Sequence, residues 1–255
     1  VISENKDVPK KQRAEQKLEI ANLLIEDNNT ETAIKELKKS MNLAKTSGDI
    51  DLELASIRQL MELNLEQKNY KNVSSYKEAL SFGNKALQVA KETKNEEFTL
   101  ESLLHLSTIY RRLSSYENAL EYGLEVLNIY KSNNDLNGIA SSLNVVGLIY
   151  NRLEQRDKAK SYFEQVVDFP KGEIKPKYYA AALRELALYQ FHQQRYSPAL
   201  SLSQQAYQIY ENINDLKGMA TVKKNLGLIY QAMGNTELAF ESFKFGVEAA
   251  KQTGQ

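Results

Sequence analysis

Small residues recur along the chain at a fixed interval, with large apolar residues set around them. Ser107, Gly147, Ala187 and Gly227 stand at successive offsets of 40. Leu106, Val146, Leu186 and Leu226 come one position earlier; Leu103, Leu143 and Leu183 come four earlier, with Lys223 in the last unit. Tyr110, Tyr150 and Tyr230 come three later, with Gln190 in the remaining unit. Offsets of −4, −1 and +3 share one face of an α-helix. A second small residue follows twelve positions on, at Ala119, Ala159, Ala199 and Ala239. The pattern predicts a helix, a short turn and a second helix in each unit, with the small residues where the two helices approach most closely.

The pattern runs back toward the start. Ala79, Gly83 and Ala86 precede Ala119, Gly123 and Val126 by 40. Ala21, Leu24 and Ala33 precede Met61, Asn64 and Ala79 by 40, 40 and 46, so six extra residues are expected near 70–75. Six helical pairs result. Approximate repeats are 10–48, 49–94, 95–134, 135–177, 178–214 and 215–255, in one array after a flexible 1–9. The first pair is expected over 10–27 and 32–46, and the last helix over 236–252. Gly48 and Asp49 end one helix and cap the next, Asn95 starts a helix, and Gly234 ends one. Ser75 with Glu78, and Ser114 with Glu117, have capping-box spacing. Ser197-Pro198 reads as a helix start with proline in the first helical position. Pro170, Gly172 and Pro176 stop a helix early and make 169–177 an ordered loop. The segment 69–75 reads as a longer turn or extra helical turn.

Composition narrows the function. The 255 residues are 42% hydrophobic, enough for a continuous core, and carry formal net charge +0. A nucleic-acid binder normally shows a basic excess, so no nucleic-acid partner is expected. Without cysteine there is no disulfide, thiolate chemistry or Cys-based metal site. No apolar run nears the roughly 20 residues of a membrane span. None of this selects a compartment, whether cytoplasmic or an extracytoplasmic sensor region.

Chemistry-bearing patterns are missing. His105 and His192 lie in different repeats without paired ligand spacing. No glycine-rich phosphate loop or nucleophile elbow occurs. Glu96 and Glu97 are adjacent on one turn and point apart. The tyrosines sit at repeat positions, which points to core packing. No enzyme, cofactor or metal is expected.

The units Leu143-Val146-Gly147-Tyr150-Ala159-Phe163 and Leu226-Gly227-Tyr230-Ala239-Phe243 resemble the tetratricopeptide repeat over nearly the whole chain. The usual period is about 34; here it is 40. The longer variant is similar to Rap-type bacterial regulators, Pins-type scaffold proteins, and sensor segments fused to bacterial histidine kinases or diguanylate cyclases. The resemblance implies an all-α fold, a right-handed α-solenoid of about six antiparallel helix pairs. It also implies that the first helices of the pairs line a concave groove.

What the resemblance implies for the site is a protein- or peptide-binding groove of Arg111, Asn144, Leu148, Asn151, Arg152, Arg184, Leu188, Phe191, Lys224 and Gln231. The carboxylate clamp of chaperone-binding members is not reproduced, because Asn144 pairs with Leu148 and Arg184 with Leu188. The groove changes sign along its length. Glu15, Glu26, Glu62 and Glu66 face Arg58 in the first two repeats; Arg111, Arg112, Arg152, Arg184 and Lys224 face Glu101 in the rest. Asn144 and Asn151 can donate to and accept from a peptide backbone. Arg184 can hold a carboxylate, and Leu148, Leu188 and Phe191 supply an apolar floor. An acidic segment is the expected partner. Lys160, expected on the outer face of a second helix, serves as a neutral control.

The expected role is a non-catalytic sensory or scaffolding region of a larger bacterial signalling protein. Phe240, Phe243 and Val247 on the last helix are expected to lack cover. The chain is therefore read as part of a longer protein, or as one whose end pairs with another copy, and a homodimer through that helix is the alternative.

Overall fold

The computed structural model describes residues 8–66, 73–170 and 172–252; inside helices, the side chains of 64–66, 73–76 and 250 are outside that set. The frayed start expected at 1–9 and the insert at 69–75 fall largely outside the described residues. Among the described residues there are twelve α-helices and no strand. The chain divides into two compact units, 1–122 and 123–255.

In the first unit α1 (Lys10–Glu26) pairs with α2 (Thr30–Ser47), and α3 (Ile50–Glu66) with α4 (Val73–Glu92), followed by α5 (Glu96–Arg112). The boundary falls within α6 (Tyr116–Ser132). The second unit continues with α7 (Leu136–Arg152), α8 (Arg156–Val167), α9 (Pro176–His192), α10 (Tyr196–Asn212), α11 (Leu216–Ala232) and α12 (Thr236–Gln252).

One turn chemistry separates most neighbouring helices. After α7 the N–H of Glu154 donates to Asn151 O at 3.2 Å and that of Gln155 to Tyr150 O at 2.9 Å. Glu154 has φ +61°. This is the Schellman closure, in which a left-handed residue lets two N–H groups reach back to otherwise unpaired carbonyls. The same closure occurs at Ser114, Asn134, Gln194, Asn214 and Gly234. The next residue often caps the following helix. Asp135 accepts from Gly138 N at 3.0 Å and Asp215 from Gly218 N at 2.8 Å. Asp49 and Asn95 cap as expected, accepting from Leu52 N at 3.1 Å and Phe98 N at 3.0 Å.

Four local readings need correction. Ser114 is the left-handed turn residue after α5, and α6 starts at Tyr116, so Ser114 cannot be its N-cap. α4 begins at Val73, before Ser75, so Ser75 is inside the helix; its side chain lies outside the described set. α10 begins at Tyr196, which makes Pro198 its third residue. That costs no hydrogen bond, because the first four helical N–H groups have no intrahelical partner. The proline in the first helical position is Pro176, so α9 takes in the end of the expected loop.

The small residues sit where the periodicity puts them. Ala21, Ala33, Ala119, Ala159 and Ala199 are wholly buried at 0% exposure. A Cβ on Gly147 would stand 2.6 Å from the Phe163 ring, and one on Gly227 2.6 Å from the Phe243 ring. Ser107 uses the same close approach differently, donating its hydroxyl to Ala119 O at 2.9 Å. Phe243 is thus packed on its own repeat, contrary to the uncovered position expected for it; Phe240 and Val247 are exposed. Two tyrosine pairs pack on each other within their repeats: Tyr110 stacks on Tyr122 at 5.5 Å and Tyr150 on Tyr162 at 5.3 Å.

Candidate functional site

In the second unit α7 neighbours α9, and α9 neighbours α11. Residues seven apart on a helix, such as Asn144 and Asn151, lie about two turns apart on the same side. The side chains predicted for the groove meet different fates there. Asn144 is buried, and its Nδ2 donates to Tyr178 O at 2.9 Å, tying α7 to the start of α9. Its Oδ1 is buried without a hydrogen-bond partner. Asn144 is therefore a helix-to-helix tie, not a surface amide open on both sides to a peptide. Arg184 donates through Nε and Nη2 to Oε1 of Glu185 at 3.0 and 2.7 Å, and so is already held by a carboxylate. Leu148 is half-buried against the core. Arg152, Lys224 and Gln231 are exposed. Phe191 is half-buried beside His192 and Tyr196, at ring distances of 5.7 and 6.0 Å.

Asn151 and Leu188 do come together. They share a pocket of about 160 Å³ with Phe163 at its base and Arg156, Lys160, Glu185, Tyr189 and His192 around it. α8 supplies Arg156 and Lys160 from its first turns, α9 supplies Glu185, Tyr189 and His192, and α7 supplies Asn151. Tyr189 donates its hydroxyl to Asp157 Oδ1 at 2.8 Å; that bond, with burial, raises the phenol above its ordinary value. Lys160 pairs with Glu164 at 3.0 Å and lies 5.7 Å over the Tyr189 ring, and the Glu164 contact raises its pKa. Burial, then the Arg156 charge, lower His192, so its neutral form is favoured. The pocket offers one amide, one apolar wall, the cations of Arg156 and Lys160 and the imidazole of His192, with Glu185 tied to Arg184.

Lys160 is not on an outer face. It is half-buried and lines the pocket with Asn151 and Leu188, so it cannot serve as a neutral control. Arg156, Glu185 and Tyr189 were missed altogether. For Glu185 the signal was available: two positions before the marker residue of each repeat stand Glu19, Gln59, His105, Val145, Glu185 and Asn225, polar in all but one. Glu185 and Asn225 are 8% and 6% exposed.

Among the described residues the first unit shows two open clefts, one at helix positions like those of this pocket and one nearer the start of α5. One, about 470 Å³, is lined by Asn22, Ile25, Glu26, Gln59, Glu62 and Leu63; Gln59 Nε2 donates to Asn22 Oδ1 at 2.7 Å across it. The other, about 350 Å³, is lined by Arg58, Glu97, Leu100, Glu101 and Leu104. Arg58 reaches Glu101 with Nε at 2.8 Å and Nη2 at 2.7 Å, which raises its pKa. Its hydrogen-bonded partner is thus Glu101 of the third repeat, while Glu62, one of the glutamates expected against it, adds a smaller charge contribution. Arg111 is half-buried on α5 in this unit. The side chains of Leu65 and Glu66 are outside the described set.

Paired antiparallel helices, a close-packed small residue at each crossing and grooves on the first helices define an α-helical repeat protein. The family model described as "Tetratricopeptide repeat" matches residues 70–132, 103–172 and 178–252, and the chain belongs to that family. A comparison with curated protein sequences yields no match. Among solved structures, the apo form of RapI has a TM-score of 0.67 at 14% identity, over 98% of this chain and 87% of that one. The apo form of the quorum sensor NprR from B. thuringiensis has a TM-score of 0.70 at 18% identity, over 94% of this chain; the chain spans 65% of it. The tetratricopeptide repeat sensor protein PH0952 from Pyrococcus horikoshii, of the signal-transduction ATPase class with numerous domains, has a TM-score of 0.57 at 19% identity, with 35% of its length spanned. Among the described residues, no helix is long and apolar enough to cross a membrane.

Proposed function

We propose that this chain is a non-catalytic protein- or peptide-binding module, the sensory or scaffolding region of a larger bacterial signalling protein. The six repeats over 10–255 make up the module. The partner is an extended, acidic segment carrying an apolar side chain. The observation that carries it is the pocket joining Asn151 and Leu188 to Arg156, Lys160 and His192. Leu188 takes the apolar side chain, Asn151 meets backbone amides, and the basic groups meet acidic ones. Leu148, Arg152, Phe191, Lys224 and Gln231 extend the contact within the second unit. Arg184 contributes by exchanging Glu185 for a ligand carboxylate, and Asn144 by positioning α9. The description of NprR as a quorum sensor and of PH0952 as carrying a repeat sensor supports a sensing role.

The test is an array of extended decapeptides, acidic, basic and neutral in matched sets with and without a central leucine, read by fluorescence anisotropy. Acidic peptides with the leucine should bind best and weaken as salt shortens the Debye length below about 8–10 Å. Equal binding of acidic and basic sets would end the reading.

A second reading, self-association through α12, is favoured by one observation: Phe240 and Val247 are 68% and 56% exposed. Light scattering over a dilution series separates the two, since a monomer at micromolar concentration goes against self-association.

A further inference from the structure

α8 has 12 residues, where every other described helix has 17 or more. The shortened helix is followed by a return path to α9 that is built into the fold. Ile174 is 6% exposed within the core, and Val167 and Phe169 pack against that core. Lys175 N donates to Asn137 Oδ1 at 2.7 Å, and Glu173 N to Pro170 O at 3.2 Å. Between this path and the α9–α10 pair lies a cavity of about 490 Å³. Pro170 and Ile174 line it from the path, Tyr179 from α9, and Gln205, Gln208 and Ile209 from α10. It shares no lining residue with the pocket at Asn151 and Leu188.

The volume is within the roughly 300–1,000 Å³ range of small-molecule sites. The described lining residues carry no charged side chain and so offer a charged ligand no counter-charge of their own. The two glutamines set the polar requirement. Gln205 Nε2 donates to Ser201 Oγ at 3.3 Å, and Gln208 Nε2 to Glu211 Oε2 at 3.0 Å and Asn212 Oδ1 at 3.2 Å. Both N–H groups of Gln208 and one of Gln205 are engaged along α10, so the two glutamine carbonyls remain to accept and one Gln205 N–H remains to donate.

We propose that this cavity is a second binding site, for a neutral, mainly apolar small molecule with a hydrogen-bond donor, and that the early end of α8 exists to make room for it. The site is independent of the peptide-binding reading.

The probe is N-phenyl-1-naphthylamine, which is neutral, aromatic, carries one N–H and brightens on leaving water. The wild-type chain should show saturable binding of one dye per chain, unchanged between about 0.05 and 0.5 M salt because no charge is involved. Ile209→Arg, which fills and charges the wall, should weaken binding at least tenfold with helicity unchanged by circular dichroism. Gln208→Leu removes an acceptor from an exposed position and should weaken it by roughly threefold or more; this variant decides the matter if Ile209→Arg does not fold. Gln165→Glu, on α8 away from the cavity, should bind as wild type. Absence of saturation, or wild-type binding by folded Ile209→Arg or by Gln208→Leu, overturns the proposal. Loss of dye binding in Phe240→Ser would place the dye on α12 and overturn it equally.

Discussion

The ring of Phe163 occupies the space a side chain on Gly147 would need: a Cβ there would lie 2.6 Å from Cε1 and 2.7 Å from Cζ. Phe163 is 1% exposed and has nowhere to withdraw. The same relation holds 80 residues later between Gly227 and Phe243, at 2.6 Å. Gly147→Leu should overpack the α7–α8 crossing and cost about 1–3 kcal/mol or more. Pairing Gly147→Ala with Phe163→Leu should recover part of the loss of the single alanine variant, because the two sites share one volume. Denaturant melts of the four proteins check this; strict additivity would show that the ring does not set the constraint.

The left-handed turn residues give an opposite kind of prediction. Glu154 and Gln194 hold φ of +61° and +58° with full side chains. That conformation costs an L-residue about 1–2 kcal/mol, offset in part by the extra chain entropy glycine brings to the unfolded state. Glu154→Gly should therefore stabilise by about 0.5–1 kcal/mol, while Gly234→Ala, at φ +78°, should destabilise. A melt in which both changes have the same sign would contradict the turn geometry.

Asn144 should behave as a structural residue. Asn144→Ala removes the donor to Tyr178 O and should cost about 1 kcal/mol. A peptide that contacted Asn144 alone would instead leave stability unchanged and lose affinity.

Stability should fall as pH drops through the histidine range. Burial lowers His105, with Arg58 adding to the effect and Glu101 opposing it; burial and Arg156 lower His192. The unfolded chain then binds more protons than the folded one below the ordinary histidine value of about 6.5. The contribution is complete above that value and is lost as pH falls from it toward the depressed folded values. Urea midpoints measured from pH 7.5 downward should show the decline, and His105→Gln should flatten it. A midpoint that rises on acidification over this window would reverse the assigned direction.

The repeat was legible because packing two helices at one crossing demands a small residue, and Gly147, Gly227, Ala159 and Ala239 keep the register. The turns were legible at Gly48 and Gly234, and hidden at Glu154 and Gln194, whose types carry no left-handed signature. The tight contacts of Gly138 on Tyr130 and Gly218 on Tyr210, at 2.1 and 2.2 Å to a built Cβ, also passed unread. Their 80-residue echo stood in the sequence. The site was less legible than the fold, since exposure depends on what a neighbouring helix covers. Asn144 is covered by the start of α9 through its bond to Tyr178 O. Adjacent helical residues ordinarily face apart, which hid the Arg184–Glu185 pair. Lys160 looked outward by register, yet its long side chain folds over Tyr189.

The groove around Asn151 and Leu188 is the central claim, and calorimetric titration tests it directly. The tightest acidic peptide from the array would be titrated into wild type, Leu188→Ala, Arg156→Glu and Gln165→Glu. Gln165 is exposed on α8 and does not line the pocket. Leu188→Ala and Arg156→Glu should each raise Kd about tenfold or more, which is about 1.4 kcal/mol, with the helical signal unchanged. Gln165→Glu should leave Kd within about twofold of wild type. Equal effects from all three substitutions, or none from the first two, would contradict the claim.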